Sequence, residues 1–247
     1  MDRKEQTMIE FTPFDGVLLV DKPSGWTSHD VVAKVRAHFG IKKVGHCGTL
    51  DPMATGLLVL VLGRATRLSE KLTSDDKSYE GTILLGVTTN TEDADGETVE
   101  TKPVPPLTEA EMVAVLDKFK GDIYQTPPMI SAVKYQGRPL YKLARKGIVV
   151  EREPRLVHIY DLRMLAMELP RVNFRMVCSK GTYVRTLAAD IGIALGCGAH
   201  LAGLRRTAAG KFKLEDAHTL EQILAQPRAA LPQWIMPILE AARMIKP

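Results

Sequence analysis

The feature that most constrains the fold is a run of six apolar residues, LLVLVL at positions 57–62, that directly follows a polar loop. A run that is apolar on both faces is typical of a central strand covered from both sides. The glycine-rich loop before it, residues 45–56 (GHCGTLDPMATG), contains three glycines, and Pro52 favours an extended backbone at Asp51. The sequence therefore predicts that polar side chains, His46 and Asp51 among them, are held at the end of a buried strand.

The other periodic segments predict strands and helices that are interleaved without strict alternation. Strands are expected at residues 16–20, 79–85 and 172–177. A helix is expected at residues 28–39 with Ser28 as its N-cap, a second after the capping box of Thr108 and Glu111, and a third after Gly181. This order predicts an α+β fold with a mixed, largely antiparallel central sheet flanked by helices.

Composition excludes several classes of protein. The 247 residues are enough for one large domain, and three cysteines without a CxxC pair argue against a disulfide framework. No apolar run is long enough to span a bilayer, and residues 1–10 lack the apolar centre of a signal peptide. Phosphate-loop, dinucleotide and metal-ligand motifs are missing from the sequence. We therefore expect a cytoplasmic globular protein that needs no cofactor and no metal.

Charge is concentrated in two segments although the net charge is only +4. Residues 92–100 contain five acids and no base, whereas residues 134–155, here called the basic arm, contain seven bases and two acids. The arm is either a solvated face or a surface that contacts phosphates, and Tyr135 and Tyr141 lie between its bases. A turn at Gln136 and Gly137 would let the arm project as a hairpin followed by a helix.

Spacing alone leaves the chemistry of the glycine-rich loop open. Asp51 suits a positioned nucleophile or base, but aspartate is also a common turn-capping residue. His46 is compatible with a structural or a catalytic histidine, and Cys47 beside it has no metal-ligand spacing to support thiol chemistry.

The loop and the strand after it, GHCGTLDPMATGLL, resemble the catalytic motif of the TruB-type pseudouridine synthases, which act on the T-arm uridine at position 55 of transfer RNA. Further segments resemble motifs of the same family, in the same order: residues 20–28 (VDKPSGWTS), 77–80 (KSYE), 85–96 (LGVTTNTEDADG), 127–145, 180–185 (KGTYVR) and 204–207 (LRRT). The resemblance covers about residues 16–215. It implies an isomerase that cleaves the N1–C1′ bond of a flipped-out uridine, turns the base and rejoins it through C5.

The resemblance also implies a domain organisation and a set of site residues. The catalytic domain would span residues 1–215, with an RNA-binding thumb inserted at about 125–152. Residues 216–247 would form a helical extension, too short for the complete RNA-binding PUA domain that relatives carry. Asp51 would be the catalytic carboxylate, and the substrate-binding residues would be Lys22, His46, Tyr79, Asp93, Tyr183, Arg185 and Leu204.

Individual roles follow from the same resemblance. Arg185, which the helical spacing leaves outside the apolar stripe of its predicted helix, would keep Asp51 ionised, or as a plain ion pair it would order the loop. Tyr79 would stack on the base, or else simply pack in the core, and Tyr183 would lie near C5. His46 would fill the space that the base leaves, Leu204 would form an apolar wall, Lys22 would support the loop and Asp93 would hydrogen-bond near the base. Three routes stay open for Asp51: attack at C1′, addition at C6, or a glycal.

The resulting prediction is a monomeric tRNA pseudouridine synthase that binds the T-arm stem-loop and needs no protein partner. One alternative is the catalytic subunit of an RNA-guided pseudouridine synthase, which shares the GTLDP motif. Another is a non-catalytic protein that binds or folds tRNA through the same surface.

Overall fold

A computed structural model describes residues 11–131 and 133–245. Residues 1–10, for which the sequence predicts no signal peptide, lie outside the described residues, as does Ala132 of the thumb. The helices and strands follow one another along the chain as β1 (Gly16–Lys22), α1 (Ser28–Phe39), β2 (Val44–Cys47), β3 (Thr55–Leu62), α2 (Ser69–Thr73), β4 (Lys77–Leu85), β5 (Val87–Thr89), β6 (Thr98–Thr101), α3 (Glu109–Asp117), β7 (Gly121–Gln125), β8 (Lys134–Tyr135), β9 (Arg138–Pro139), α4 (Leu140–Ala144), β10 (Arg155–Glu168), β11 (Arg171–Cys178), α5 (Val184–Ala194), β12 (Ala199–Ala209), β13 (Phe212–Lys213), β14 (His218–Thr219), α6 (Leu220–Leu224), β15 (Ile235–Pro237) and α7 (Ile238–Met244).

The chain divides into two compact units. Unit 1 consists of Met1–Pro52, Gly56–Ser74 and Gly210–Pro247, and unit 2 consists of Met53–Thr55 and Asp75–Ala209. The segment after residue 215 therefore clusters with the N-terminal part of the chain. It contains the short strands β14 and β15 as well as the helices predicted for it. The division of the chain at residue 215 stays a prediction from the sequence.

Unit 1 is built on two buried strands. β3 pairs antiparallel with β1, from Gly16 opposite Leu62 to Lys22 opposite Gly56. β14 adds to β1 in parallel, β15 adds to it antiparallel, and β2 adds to β3. Residues 56–62 of β3 are all buried, which confirms the central strand predicted from the apolar run.

Helix α1 ends at Gly40, as predicted, but its N-cap lies one residue before the predicted one. Gly40 adopts a left-handed backbone (φ 59°), which glycine tolerates and which ends the helix. The N-cap is Thr27, whose side chain accepts from the Asp30 N–H while the Asp30 carboxylate accepts from the Thr27 N–H. The prediction of Ser28 as N-cap is therefore wrong, because Thr27 and Asp30 complete the capping box. Ser28 is buried instead.

Unit 2 is an antiparallel sheet in the order β12-β4-β11-β10-β7. Its buried side chains alternate along β11, where Val172, Phe174 and Met176 point into the core. α3 packs on β10 and α5 packs on β12. The capping box of Thr108 and Glu111 is present at the start of α3, as predicted. With the parallel β1–β14 pair of unit 1, the sheets are mixed and mainly antiparallel, and the α+β prediction is confirmed.

The basic arm folds within unit 2 as a hairpin followed by a helix, as its sequence predicts. β8 and β9 pair across Gln136 and Gly137, whose φ angles of 47° and 80° both lie in the left-handed region. Two such residues form the tight turn that suits a two-residue hairpin. α4 follows at once, and its Leu140 is buried. Among the described residues, no helix is both long and apolar enough to cross a membrane.

Candidate active site

The part of the glycine-rich loop that belongs to unit 1, residues 45–52, leaves the sheet at the end of β2 and carries Asp51. Gly48 has a left-handed backbone (φ 85°), which reverses the chain after Cys47. Asp51 is half-buried and lies between the buried Leu50 and the exposed Pro52. The Pro52 carbonyl accepts a hydrogen bond from the Gly25 N–H at 2.9 Å. The residues around Asp51 are therefore tied to the KPSG turn that follows β1.

Lys22 makes the second connection between these two segments. Its side chain is 0% exposed, and its Nζ donates to the carbonyls of Pro23 (2.9 Å), Trp26 (2.7 Å) and Pro52 (3.2 Å). A buried ammonium is tolerated only when hydrogen bonds replace its lost water. Lys22 thus holds the backbone next to Asp51, a contact that supports the loop-supporting role predicted for it.

Ser28 holds the other side of Asp51. Its Oγ donates to the Leu50 carbonyl at 3.1 Å and accepts from the Leu50 N–H at 2.9 Å. Both groups are buried, so Ser28 satisfies the two main-chain polar groups of the residue before Asp51. This role of Ser28 was not predicted from the sequence. The capping box of Thr27 and Asp30 was the available signal, because it leaves the neighbouring hydroxyl of Ser28 for another partner.

His46 and Cys47 lie on β2, where the chain enters the loop. His46 pairs in register with Leu60 of β3 and is half-buried. Its ring meets that of His29 edge-on, with centroids 5.2 Å apart. The Cys47 side chain is only 1% exposed and forms no disulfide. His46 is therefore the more accessible of the two neighbours.

In unit 2, Arg185 and Asp93 form a buried ion pair. Their side chains are each 5% exposed, and Arg185 Nη1 lies 3.4 Å from Asp93 Oδ2. The guanidinium also donates to the carbonyls of Thr91 (3.1 Å) and Ile130 (2.9 Å). Arg185 is in the first turn of α5, where residues 184–188 are all buried. The helical spacing predicted an Arg185 outside the core stripe, and that prediction is wrong because these partners draw its side chain inward.

The acidic turn, residues 90–97, is fixed on α5 by a second contact. Glu92 has a left-handed backbone (φ 64°), which is unusual for a residue with a side chain. Its Oε2 accepts from Thr186 Oγ1 at 2.7 Å, and its carbonyl accepts from the Leu201 N–H at 3.0 Å. Burial, with a further contribution from Glu92, raises the pKa of the Asp190 carboxyl to about 6. The turn that carries Asp93 is thus anchored to α5 and β12, at some electrostatic cost.

The remaining predicted residues of unit 2 lie on β4, β12 and at the start of α5. Tyr79 is buried on β4, opposite Met176 of β11 and Arg206 of β12. Leu204 on β12 is half-buried and lies opposite Gly81 of β4. Thr55 of unit 2 donates to the Leu204 carbonyl at 3.4 Å.

Tyr183 is the N-cap residue of α5 and is positioned through its backbone. Its N–H donates to Gln125 Oε1 (3.0 Å), and its carbonyl accepts from Gln125 Nε2 (3.2 Å). Gln125, at the end of β7, is 1% exposed. No local sequence signal identifies it, because its partner lies far along the chain.

The basic arm presents its charges to solvent. Lys142, Arg145 and Lys146 are exposed, and the Arg145 guanidinium lies 5.5 Å from the centre of the Tyr141 ring. A cleft of about 320 Å³ lies beside the hairpin, lined in part by Tyr135 and Arg152. This arrangement suits the binding of a polyanion with stacking bases. Among the described residues there is no cluster of three or more His, Cys, Asp or Glu side chains that could hold a metal ion.

Comparison with known proteins identifies relatives along most of the chain. Residues 36–184 match the family described as TruB family pseudouridylate synthase (N terminal domain), and residues 185–242 match the tRNA pseudouridylate synthase B C-terminal domain. A protein of Opitutus terrae named tRNA pseudouridine synthase B is 58% identical over 231 residues, which cover 94% of this chain and 96% of the relative. Its namesake in Syntrophotalea carbinolica is 49% identical over 230 residues, 93% of this chain and 75% of the relative.

Solved structures give the same fold. The chain is similar to one in the crystal structure of a Cbf5-Nop10-Gar1 complex, with a TM-score of 0.75 and 32% identity. It is also similar to a chain in the structure of an H/ACA RNP bound to a substrate RNA containing 2′-deoxyuridine, with a TM-score of 0.70 and 29% identity. In both cases 94% of this chain is covered, but only 63% and 62% of the solved chains. This chain therefore spans less than two thirds of their length.

Proposed function

The chain belongs to the TruB family of pseudouridylate synthases, and from this we propose that it converts the T-arm uridine at tRNA position 55 to pseudouridine with Asp51 as the catalytic carboxylate. That it is a tRNA pseudouridine synthase follows from its relatives. The observation that carries the proposal for Asp51 is the bracing of its two neighbours, Leu50 by Ser28 and Pro52 by Lys22 and Gly25. A carboxylate held in this way is preorganised for chemistry.

The reaction is an isomerisation, so atoms and electrons balance without an oxidant or reductant. The N1–C1′ bond breaks, the uracil turns, a C5–C1′ bond forms, the proton on C5 is released and N1 takes up a proton in its place. Asp51 supplies a nucleophile or a base through attack at C1′, addition at C6 or a glycal. Its ionised form is the reactive one on each route, and a nearby cation would favour that form.

The other residues receive the roles that the family resemblance assigns. The uridine must leave the folded loop before a side chain can reach it, and an aromatic face such as Tyr79 stabilises an extruded base by about 1–3 kcal/mol. We propose that Tyr183 faces C5, that His46 fills the vacated space and that Leu204 forms an apolar wall. Because Asp93 pairs with Arg185, we propose that Asp93 acts by holding Arg185 rather than by bonding to the base.

The proposal is tested by the release of tritium from an unguided T-arm stem-loop containing 5-tritiated uridine. Wild-type protein is expected to release tritium, and Asp51→Asn is expected to lower the rate roughly a thousand-fold or more. Asp117→Asn, on the exposed end of α3, is the matched control and should retain the wild-type rate. An Asp51→Asn protein that is folded and active would overturn the assignment.

The likeness to the Cbf5 chain favours one second candidate, the catalytic subunit of an RNA-guided synthase. The solved Cbf5 chain is in a complex with Nop10 and Gar1, so this candidate needs further components. Tritium release by the purified chain alone, without a guide RNA, would exclude it. Activity that appears only after partners and a guide RNA are added would exclude the unguided enzyme.

A non-catalytic role in tRNA binding or folding makes a different prediction. Under that role, Asp51→Asn would leave every cellular phenotype unchanged, because binding does not need the carboxylate. We further propose that the enzyme acts in the cytoplasm as a monomer without a protein partner. Sedimentation at micromolar concentration, with and without the stem-loop, tests the monomer.

A further inference from the structure

Unit 1 contains a basic cleft that the proposed chemistry does not use. The cleft measures about 460 Å³ and lies beside the chain segments that flank the Gly16–Leu62 end of the β1–β3 pair. Among the residues that the structure describes, one carboxylate lines it, that of Asp15, together with five basic side chains: Lys42, Lys43, Arg64, Arg67 and Arg228. A concentration of one sign of charge in a concave surface attracts the opposite charge.

The carboxylate in the cleft is already engaged. Asp15 Oδ1 accepts from the Arg64 N–H and Oδ2 accepts from the Thr12 N–H, each at 2.7 Å. Burial acts to raise the pKa of this carboxyl, but these hydrogen bonds and the Arg64 charge together lower it. Asp15 is therefore an ionised group that shapes the backbone at Arg64. It offsets only part of the positive charge around it.

Two guanidinium groups in the cleft, those of Arg64 and Arg228, lie against aromatic rings. Within the described part of the chain, no carboxylate is hydrogen-bonded to either guanidinium. Arg64 Nη1 is buried and has no hydrogen-bond partner among residues 11–131 and 133–245, and its guanidinium lies 5.7 Å from the Phe11 ring centre. The Arg228 guanidinium lies 4.7 Å from the Phe14 ring centre. Stacking on an aromatic face orients a guanidinium while leaving its N–H groups available. A buried N–H donor without a protein partner is available to an acceptor such as water or an anion.

Phosphate fits these donors best. Guanidinium groups bind phosphate oxygens through paired, charge-assisted hydrogen bonds, and lysines add point charges. We propose that this cleft binds backbone phosphates of tRNA outside the T-arm. The proposal rests on the proposed function for its substrate, because a tRNA synthase meets a long polyanion at every turnover.

The position of the cleft determines which part of the tRNA it would meet. The Lys22–Gly56 end of the β1–β3 pair holds Pro52 beside Asp51, whereas the cleft lies at the Gly16–Leu62 end. The six residue steps between these ends correspond to about 20 Å. Phosphates close to the target uridine would therefore lie away from the cleft. A phosphate about 20 Å away lies beyond the loop that carries the uridine, and we assign it to the part of the folded tRNA that an isolated T-arm stem-loop lacks.

The experiment compares two RNAs and two pairs of substitutions. Affinity for full-length unmodified tRNA and for the isolated T-arm stem-loop is measured by filter binding over a series of salt concentrations. The test variant is the double substitution Arg64→Gln with Arg228→Gln. Its matched control is Lys34→Gln with Lys118→Gln, which removes two exposed charges outside the cleft.

The test variant should bind full-length tRNA about tenfold more weakly. The slope of log affinity against log salt should become shallower by about 1–2, because fewer counterions are released when phosphate contacts are lost. Its affinity for the stem-loop and its tritium release from it should match the control. Full-length tRNA binding equal to the control would overturn the proposal. So would an equal loss for both RNAs, which would place the contacts within the T-arm.

Further arms keep the result interpretable. If inorganic phosphate raises the unfolding temperature of wild type but not of the test variant, while tRNA affinity is unchanged, the cleft binds a free anion and the RNA assignment fails. If the double variant unfolds, the single substitution Arg228→Gln at the exposed Arg228 replaces it. We then expect a threefold loss of affinity for full-length tRNA, and an unchanged affinity would overturn the proposal. Wild-type tritium release is scored separately, so that failure of the proposed function is seen independently of the cleft.

Discussion

The glycine-rich loop and the basic arm are both polar segments, but the structure holds them in opposite ways. Around Asp51, the loop backbone is tied by hydrogen bonds from the buried side chains of Lys22 and Ser28. The arm is a short hairpin and a short helix, with exposed charges and exposed apolar residues such as Ile148 and Val149. Under the proposed function, buried and fully satisfied hydrogen bonds position the reacting group, whereas accessible charge captures the RNA.

The largest effect is expected at Lys22, which ties the loop backbone next to Asp51. Lys22→Met removes three hydrogen bonds from a fully buried site and should lower the free energy of unfolding by about 3 kcal/mol, with a matching loss of activity. Urea unfolding and tritium release measure the two effects. Lys34→Met, on the exposed face of α1, serves as the control and should change stability by less than about 0.5 kcal/mol. A Lys22→Met protein of wild-type stability would show that the loop needs no such tie.

A smaller and more specific effect is expected at Ser28. Ser28→Ala leaves the buried N–H and carbonyl of Leu50 without their partner and should cost about 2 kcal/mol together with a fall in kcat. Thr27→Ala removes the adjacent N-cap hydroxyl and should cost about 1 kcal/mol while kcat is kept. Measurements of kcat and of urea unfolding for the Ser28→Ala and Thr27→Ala variants separate the positioning of Asp51 from the stability of the helix. Equal kcat values for the two variants would contradict the positioning role.

In the basic arm the expected pattern is reversed. Replacing Lys142, Arg145 and Lys146 together by Gln should leave the free energy of unfolding within about 0.5 kcal/mol, because all three side chains are exposed. Stem-loop affinity should fall about tenfold, with a shallower salt dependence. Fluorescence anisotropy over a salt series measures both. A large loss of stability with unchanged affinity would show the arm to be structural.

Helix α5 provides an intermediate case, in which a buried contact carries an electrostatic penalty. The pKa of Asp190 is raised to about 6 from 3.8, so the unfolded chain releases this proton at lower pH than the folded chain. Stability therefore falls as pH rises between these values, and the penalty is complete above about pH 6. Asp190→Asn should stabilise the protein by roughly 1 kcal/mol at neutral pH, after allowance for solvent screening of a half-exposed group. At about pH 3.5 the same substitution should leave the free energy of unfolding unchanged. Urea unfolding at both pH values measures the effect, with Asp117→Asn as the control.

Short-range patterns in the sequence predicted most of the elements. The apolar run of β3, the Gly40 stop of α1, the capping box of α3 and the arm hairpin each depend on residues a few positions apart. The errors arose where a distant partner decides the outcome. Ser28 bonds to Leu50 instead of capping its helix, and Arg185 is drawn inward by Asp93.

The C-terminal segment shows the same limit. β14 and β15 pair with β1, near the other end of the chain, and no local periodicity reveals such a pairing. Of the candidate site, the sequence resemblance named the residues, and the geometry explains how Lys22, Asp93 and Arg185 are held. Gln125 could not be named in advance, because its partner lies far along the chain, whereas for Ser28 the capping box formed by its neighbours was the available signal.

The burial of the three cysteines has a practical consequence for measuring these effects. Cys47, Cys178 and Cys197 form no disulfide and are no more than 2% exposed, and burial raises the pKa of Cys178 to about 11. Thiol reagents attack the thiolate of accessible cysteines, so the native protein should resist maleimide labelling. A single cysteine introduced on the exposed arm, as in Lys146→Cys, would then carry a fluorophore site-specifically without prior removal of the natural thiols. The arm could report RNA capture in real time while the loop that carries Asp51 stays chemically untouched.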